Sequence, residues 1–229
     1  MSMKSLVIIV SFVFVLTNIT ITNSLSTLEF EKDHVVVLVT GFGPFLKYDI
    51  NPSELIAKEL DGEMINDAAI IGLPVQVNLS NFSESIEVVY QAIEQYTPDY
   101  VFSIGLNPSS KKIEIEKIGY NLKNENSSLK KIIPDGRLLY ISPFPVWKIV
   151  RELRKNGIPS QTSIYGGFSL CNGLLYSLLY YIDTNGYDIK AGFIHVPLHK
   201  SDENPNGMEL QTMVNATKII ISVCLDGFD

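Results

Sequence analysis

A β-branched run near the start of the chain constrains the fold most. Residues 34–40 read His-Val-Val-Val-Leu-Val-Thr. An uninterrupted apolar run of this kind is typical of a strand covered on both faces, as in a parallel sheet between helices. Residues 41–45, Gly-Phe-Gly-Pro-Phe, follow it as a loop at the carboxyl end of the strand, where open α/β sheets bind ligands. Asn51 then caps a helix that has Pro52 in its first position.

Strand and helix patterns alternate along the rest of the chain. Further strands are predicted at residues 68–74, 99–105 and 190–197, with a strand or hairpin arm at 113–121. Helices are predicted at residues 83–96, 145–156, 173–182 and 208–225, and the polar stretch 123–142 is interpreted as a long loop or flap. This alternation predicts an α/β fold, a three-layer α/β/α arrangement around a mostly parallel, twisted mixed sheet. Residues 33–229 would form a single domain.

Composition narrows the class of partner. The chain has 229 residues, and a hydrophobic content of 46% is enough for one sizeable core. Lys and Arg number 18 against 25 Asp and Glu, which gives a formal charge of −7. Because the chain also lacks a basic run that could follow phosphates, no nucleic acid is expected as a partner.

The first residues have the pattern of a signal peptide. A positive start through Lys4 precedes an apolar run at residues 6–16 and small polar residues at 20–26. We expect a signal peptide at residues 1–24 and a secreted or endomembrane protein, or a cytosolic one if the segment is not used. The run is shorter than the roughly 20 residues of a membrane span, so no stable span is expected. An uncleaved anchor is the alternative if residues 19–21 extend the run.

Secretory entry has two consequences for the mature chain. Acceptor sequons begin at Asn78, Asn81, Asn126 and Asn215. An oxidising compartment also favours pairing of the two cysteines, Cys171 and Cys224, in a disulfide. The alternative is that Cys224 packs as a free thiol on the apolar face of the C-terminal helix.

Cys171 lies where a helix is predicted to begin, just after the adjacent glycines Gly166 and Gly167. Two glycines allow a tight turn with positive φ or a close approach of the backbone. A thiol at a helix N-terminus is stabilised as a thiolate, and the free N–H groups there can bind an oxyanion. Cys171 is therefore a candidate nucleophile, with a small buried apolar residue as the alternative.

Two further polar residues interrupt apolar strands. His195 lies between Ile194 and Val196, where a buried ring needs partners for its nitrogens. A thiol on one side and the Glu116 carboxylate on the other would supply them, in the nucleophile, base and orienter arrangement of cysteine hydrolases. The alternatives are a core histidine bonded to backbone and an exposed Glu116 paired with Lys117.

Four blocks of the chain, in order, resemble the pyroglutamyl peptidase I family, the pyrrolidone-carboxylate peptidases. The resemblance covers most of the chain from about Val35 onward. The blocks are residues 39–45 with Asn51-Pro52-Ser53, residues 105–121 around Glu116, residues 166–172 around Cys171, and residues 192–197 around His195.

The resemblance implies a cysteine ω-peptidase that removes an N-terminal pyroglutamyl residue from peptides without a metal or a cofactor. Cys171 would attack the pyroglutamyl carbonyl, His195 would transfer protons, and Glu116 would orient His195. Phe42 and Phe45 would flank the flat lactam ring, and Asn51 would shape their loop. A homo-oligomer is compatible with these expectations.

The chain also departs from the family pattern. Leu46-Lys47 replace a glycine pair, Ser109-Ser110 stand where an arginine-bearing turn is common, and Glu114 replaces a small hydroxyl residue. The stretch 123–142 differs most. These departures motivate an alternative, a catalytically weak or inactive homologue that binds pyroglutamyl-capped peptides. A third reading is a structural secreted domain with Cys171 and Cys224 joined.

Overall fold

Strands and helices alternate through the residues that the computed structural model describes, 34–78, 82–125, 127–201 and 204–227. The strands are β1 (Val36–Phe42), β2 (Met64–Ile65), β3 (Ala68–Val75), β4 (Tyr100–Leu106), β5 (Ile113–Glu116), β6 (Ile118–Tyr120), β7 (Lys123–Glu125), β8 (Ser128–Lys130), β9 (Leu139–Ile141), β10 (Ser160–Ser163) and β11 (Lys190–Val196). The helices are α1 (Pro52–Leu60), α2 (Phe82–Tyr96), α3 (Val146–Lys155), α4 (Leu170–Asn185) and α5 (Leu210–Leu225).

One seven-stranded sheet organises the fold, with the strand order β10-β5-β11-β4-β1-β3-β2. Neighbouring strands run parallel except β5 against β11 and β2 against β3. The predicted mostly parallel mixed sheet is therefore confirmed. The strand order places β1, β4, β11 and β5 side by side. The segments that follow β1, β4 and β11 and the segment that precedes the antiparallel β5 therefore meet at one edge of the sheet.

Alternate residues of each central strand face different helix layers. In β1, Val37 and Val39 belong to the core beneath α1, α3 and α5, whereas Leu38 belongs to the core beneath α2 and α4. This division follows from the two-residue period of a strand, since successive side chains point to opposite faces. The two apolar clusters confirm the three-layer α/β/α arrangement.

Several element boundaries differ from the predictions. Gly41 and Phe42 extend β1 instead of opening the loop, because both pair with β3. Helix α4 continues past residue 182 to Asn185, and Gly186 ends it in the left-handed conformation at φ 69°. The predicted strands at 68–74, 99–105 and 190–197 and the predicted helices are present with small shifts of their ends.

The flap predicted at residues 123–142 contains ordered short strands. β7 pairs with β8, and β9 pairs with β6, in two small sheets outside the main one. Buried Asn121 holds the loop between β8 and β9. Its Oδ1 accepts from the N–H groups of Ile132 and Ile133, and its Nδ2 donates to the carbonyl of Ile133 at 2.7 Å. The segment is polar and largely exposed, as predicted, but it is not a simple loop.

The predicted signal peptide at residues 1–24 lies outside the described residues, as do Asn81 and Asn126 of the sequons. Within the described ranges, no helix combines the length and the apolar character needed to cross a membrane.

Candidate active site

The register between β5 and β11 brings polar side chains together on one face of the sheet. His195 pairs with Glu114 and Phe193 pairs with Glu116. Residues directly opposite in an antiparallel pair share a face, and so do residues two apart in a strand. The intervening Ile115 and Ile194 point into the opposite core, the one beneath α1, α3 and α5.

Glu116 and His195 form a buried hydrogen-bonded pair. The distance from His195 Nδ1 to Glu116 Oε1 is 2.7 Å, and the two residues are 4% and 2% exposed, respectively. The alternative of an exposed Glu116 paired with Lys117 is wrong, because the Lys117 ammonium donates instead to the Ser142 carbonyl at 2.9 Å. A bond from Nδ1 to the carboxylate leaves Nε2 of the ring for a partner on the other side.

Cys171 lies at the second position of α4, after the N-cap Ser169, as its motif predicted. A Cβ built on Gly105 would lie 3.0 Å from the Cys171 sulfur, so the thiol sits against the backbone of β4 at Gly105. Gly105 is the register partner of His195 in the adjacent strand. The first N–H groups of a helix have no intrahelical acceptor, which places donors and a positive dipole end beside the half-buried sulfur.

The imidazole of His195 is held in its charged form. Burial alone lowers its pKa, but the charge and hydrogen bond of Cys171, together with those of Glu116, outweigh burial and raise the pKa of His195 to about 10. At neutral pH this environment favours the imidazolium form of the ring. A charged ring beside the Cys171 thiol supplies an acid that can protonate a leaving group.

Gly166 and Gly167 have the two roles that adjacent glycines were expected to offer. Gly167 has a φ of 79°, in the left-handed region. A Cβ on Gly166 would lie 3.4 Å from both Glu116 Oε2 and His195 Cε1, so this loop closes tightly over the pair. The second carboxylate oxygen of Glu116, Oε2, is also buried, and it has no hydrogen-bond partner among the described residues.

Glu114 is a site residue that the sequence marked only as a departure from the family pattern. One of its oxygens accepts from Asn107 Nδ2 at 2.8 Å, and the other accepts from Gln161 Nε2 at 2.7 Å. Ligand atoms of Glu114, Glu116 and His195 all lie within 4.8 Å of one another, and such groups can bind a divalent cation. Here the carboxylate of Glu114 is already occupied by two amides, and His195 Nδ1 is occupied by Glu116.

The ring of Phe42, the last residue of β1, lies on the same face of the sheet. The Phe42 ring is buried, and its centroid lies 6.4 Å from that of Phe193, whose own ring meets the His195 ring at 5.0 Å. Phe45 lies farther along the loop, half-buried, against Tyr48 at 5.6 Å. Phe42 is thus linked to the Glu116 and His195 pair through one ring.

Asn51 acts on the backbone of this loop. It is the N-cap of α1, its Oδ1 accepting from the Ser53 N–H at 3.1 Å, and its Nδ2 donates to the Gly43 carbonyl at 2.9 Å. Its side chain is 1% exposed, so it fixes the loop from below instead of pointing into solvent. These two hydrogen bonds connect the backbone at Gly43 to the start of α1.

The two cysteines are free thiols. Cys224 is fully buried in the core beneath α1, α3 and α5, whereas Cys171 packs with the core beneath α2 and α4. Because the sheet lies between these two cores, the alternative of a disulfide between Cys171 and Cys224 is wrong for this fold.

Comparisons with known proteins agree with this geometry. A family model described as pyroglutamyl peptidase matches residues 35–226. The pyrrolidone-carboxylate peptidase of Pyrococcus furiosus is 36% identical over 208 residues, which cover 83% of this chain and 98% of the relative. The enzyme of the same name from Thermococcus litoralis is 33% identical over 209 residues, covering 83% and 93% of the two chains.

Solved structures match as well. A mutant pyrrolidone carboxyl peptidase from P. furiosus superposes with a TM-score of 0.78 at 33% identity, covering 85% of this chain and 100% of the other. Pyroglutamyl peptidase I from Bacillus amyloliquefaciens gives a TM-score of 0.78 at 28% identity, covering 86% and 97%. The resemblance drawn from the four sequence blocks is confirmed: this chain belongs to the pyroglutamyl peptidase family.

Proposed function

We propose that this chain is a cysteine peptidase that hydrolyses the bond after an N-terminal pyroglutamyl residue, with Cys171, His195 and Glu116 as its catalytic residues. The observation that carries the proposal is the placement of the Cys171 sulfur at a helix N-terminus, beside a buried histidine bonded to a carboxylate. These are the nucleophile, acid and orienter that acyl transfer through a thiol requires.

In the first half of the reaction, the Cys171 thiolate attacks the carbonyl carbon of the pyroglutamyl residue. The carbonyl oxygen becomes an oxyanion, which the N–H groups of the first turn of α4 stabilise. The carbon–nitrogen bond then breaks, and the His195 imidazolium donates its proton to the leaving amine. The products of this step are an acyl-enzyme thioester and the shortened peptide.

In the second half, water attacks the thioester. The neutral imidazole takes a proton from the water, and the carbon–sulfur bond breaks to release pyroglutamate. Thiolate and imidazolium are thereby restored. Glu116 does not exchange protons in this scheme, since its role is to hold the ring through Nδ1 and to stabilise the imidazolium.

Recognition of the lactam is assigned to the end of β1 and the loop that follows it. A pyroglutamyl ring is small, flat and uncharged, and such ligands are bound by aromatic faces together with a few polar groups. Phe42 and Phe45 supply the aromatic faces, and Asn51 supports the loop from below.

Removal of the thiol tests the activity. The parent protein, reduced, should release the fluorophore from a pyroglutamyl amide substrate, and Cys171→Ala should lower kcat/KM at least about a thousandfold, which is ~4 kcal/mol. Cys224→Ala is the matched control, because Cys224 is buried in the opposite core, and it should retain the activity.

A parent protein that is folded and reduced but silent would contradict the proposal. Binding of a pyroglutamyl peptide without turnover, unchanged by Cys171→Ala, would favour the alternative of an inactive homologue that binds capped peptides. The altered flap at residues 123–142 motivates that alternative.

The proposal extends to the N-terminal segment, which we assign as a signal peptide directing the enzyme to the secretory pathway. The positive start, the apolar run at residues 6–16 and the small polar residues after it support this. Expression in a secreting cell should yield medium containing protein that begins near residue 25, as read by N-terminal sequencing. Retention in the cytosol with an intact N-terminus would contradict it.

A further inference from the structure

One row of residues crosses the carboxyl edge of the sheet through the candidate active site. Gly105 of β4 pairs with His195 of β11, His195 pairs with Glu114 of β5, and Glu114 pairs with Gln161 of β10. The Cys171 sulfur lies over Gly105 at one end of this row. Neighbouring strands are about 4.8 Å apart, so the number of strands crossed gives the distance along a peptide bound over this row.

The order of the strands in this row indicates the direction in which a bound peptide extends across the sheet. Phe42 ends β1, which is the neighbour of β4 on the side away from β11. With the pyroglutamyl ring at Phe42 and its carbonyl at Cys171, the leaving nitrogen lies towards His195. The rest of the peptide then continues in the same direction, across β5 and towards β10.

A shallow, open surface cleft lies in that direction. It has a volume of about 390 Å³, and its lining includes Asn107, Lys111, Lys112, Glu114 and Gln161. Glu114 connects this cleft to the active site. An oxygen of the Glu114 carboxylate lies within 4.8 Å of a carboxylate oxygen of Glu116 and of a ring nitrogen of His195. From His195 to Gln161 are two strand spacings, about 10 Å, which an extended peptide covers in about three residues.

The cleft carries local positive charge in an acidic protein. Lys111 and Lys112 are exposed, and neither forms an ion pair with another described residue. The Lys112 ammonium lies at the Gln161 end, 3.3 Å from Gln161 Oε1. The one carboxylate in the lining is that of Glu114, which is buried and accepts from two amides. The lining therefore carries two cations and one carboxylate, whereas the whole chain has a formal charge of −7.

We propose that this cleft is a subsite for the leaving peptide and that Lys111 and Lys112 select substrates with an acidic side chain or terminal carboxylate within about three residues after the pyroglutamyl group. The inference rests on the proposed peptidase function. The lysines touch substrate far from the scissile bond, so they bind the ground state and the transition state equally. Their effect should therefore fall on KM more than on kcat.

Four-residue peptide amides test the subsite: pyroglutamyl-alanyl-alanyl peptides that end in glutamate, glutamine or lysine amide. At low ionic strength the parent should cleave the glutamate peptide with kcat/KM about fivefold above the glutamine peptide, and the lysine peptide more slowly still. The preference should shrink in about 0.5 M salt, where charges on the surface are screened.

Charge reversal provides the matched comparison. The double variant Lys111→Glu, Lys112→Glu should reverse the order of the three peptides, with circular dichroism confirming that it is folded. Lys58→Glu makes the same type of charge change on α1 and should leave the order unchanged.

Equal kcat/KM values for all three peptides with the parent, or an order that survives the double reversal, would overturn the subsite while leaving the peptidase function intact. A folded parent that cleaves none of the peptides would overturn both proposals.

Discussion

At the scale of single residues, the Glu116 and His195 pair concentrates the chemistry. Burial of either charge alone would be costly, because a charged group loses its hydration in the protein interior. The 2.7 Å bond between them compensates for part of that cost, and Cys171 adds a further negative partner for the ring. The pair is therefore a place where a change of one atom should alter both stability and proton affinity.

The pair predicts a specific dependence of stability on pH. Because the folded protein raises the pKa of His195 to about 10, the contribution of this group is fully present below the unfolded pKa near 6.5 and is lost as pH rises towards 10. Glu116→Gln removes one of the groups that raise this pKa. We expect the free energy of unfolding of Glu116→Gln to be lower than that of the parent at pH 6, with the difference narrowing towards pH 10.

Urea unfolding of both proteins at several pH values between 6 and 10 measures this difference. Glu59→Gln is the control, since Glu59 is exposed on α1 and its replacement should leave the pH dependence of the parent unchanged. A gap between parent and Glu116→Gln that is constant or that widens with pH would show that Glu116 does not hold the proton on His195.

At the scale of elements, α4 connects the nucleophile to the segment that follows Glu116. Asn172, the residue after Cys171, is buried and accepts from the Tyr120 N–H at 2.8 Å. Its Nδ2 donates to the carbonyls of Tyr120 at 2.9 Å and Leu122 at 2.8 Å. One side chain thus fastens the start of α4 to β6, which begins two residues beyond Glu116.

Asn172→Ala should therefore loosen the attachment of β6 to α4. Two backbone carbonyls and one N–H would lose buried partners, which should lower the free energy of unfolding by about 2–4 kcal/mol. Asn185→Ala is a control on the same helix, where an exposed amide donates to the Tyr181 carbonyl, and it should cost less than about 1 kcal/mol. Chemical denaturation compares the two, and equal losses would contradict the anchoring role of Asn172.

The elements that the sequence could predict are those with a buried apolar pattern. Runs such as residues 34–40 and the apolar turns of α4 are set by local composition, so their type was recognisable and only their ends shifted. β10 was missed because Ser-Gln-Thr-Ser has no apolar pattern, and its extended form depends on pairing with β5. β2 has two residues and depends on β3 in the same way.

The residues of the candidate site also differ in whether the local sequence is enough to recognise them. Cys171 and His195 could be recognised as candidates from the chain itself, as a thiol at a helix start and a histidine in an apolar strand, and the family resemblance supplied their expected roles. Glu114 could not be placed, although its spacing from Glu116 puts both on one face of β5. The missing fact was the antiparallel register that sets Glu114 opposite His195, and no pattern within either segment specifies that register.

At the scale of the whole molecule, the sheet separates two thiols into different environments. Burial raises the pKa of Cys224 to about 12, against a smaller lowering by Lys190 and Lys148, so this thiol stays protonated and inert at neutral pH. Cys171 lies half-buried on the other side of the sheet, beside a charged imidazole. Reactivity at Cys224 requires exposure of the core, whereas reactivity at Cys171 does not.

Alkylation should therefore report the native fold. Native protein treated with iodoacetamide at pH 7.5 should gain one adduct, on Cys171, and should lose its peptidase activity in step with that adduct. The second adduct, on Cys224, should follow only after the addition of denaturant, because the thiolate is the reacting form and its population at Cys224 is negligible in the folded core. Intact-mass measurement counts the adducts, and peptide mapping places them.

Two variants separate the two thiols in this experiment. Cys171→Ala should take up no label until it is unfolded, and Cys224→Ala should be labelled at the parent rate, since its remaining thiol keeps the imidazole beside it. Rapid native labelling of Cys171→Ala would mean that the core around Cys224 opens in solution. Equal slow labelling of both thiols would mean that Cys171 lacks the activation that its position at the start of α4, beside His195, should give it.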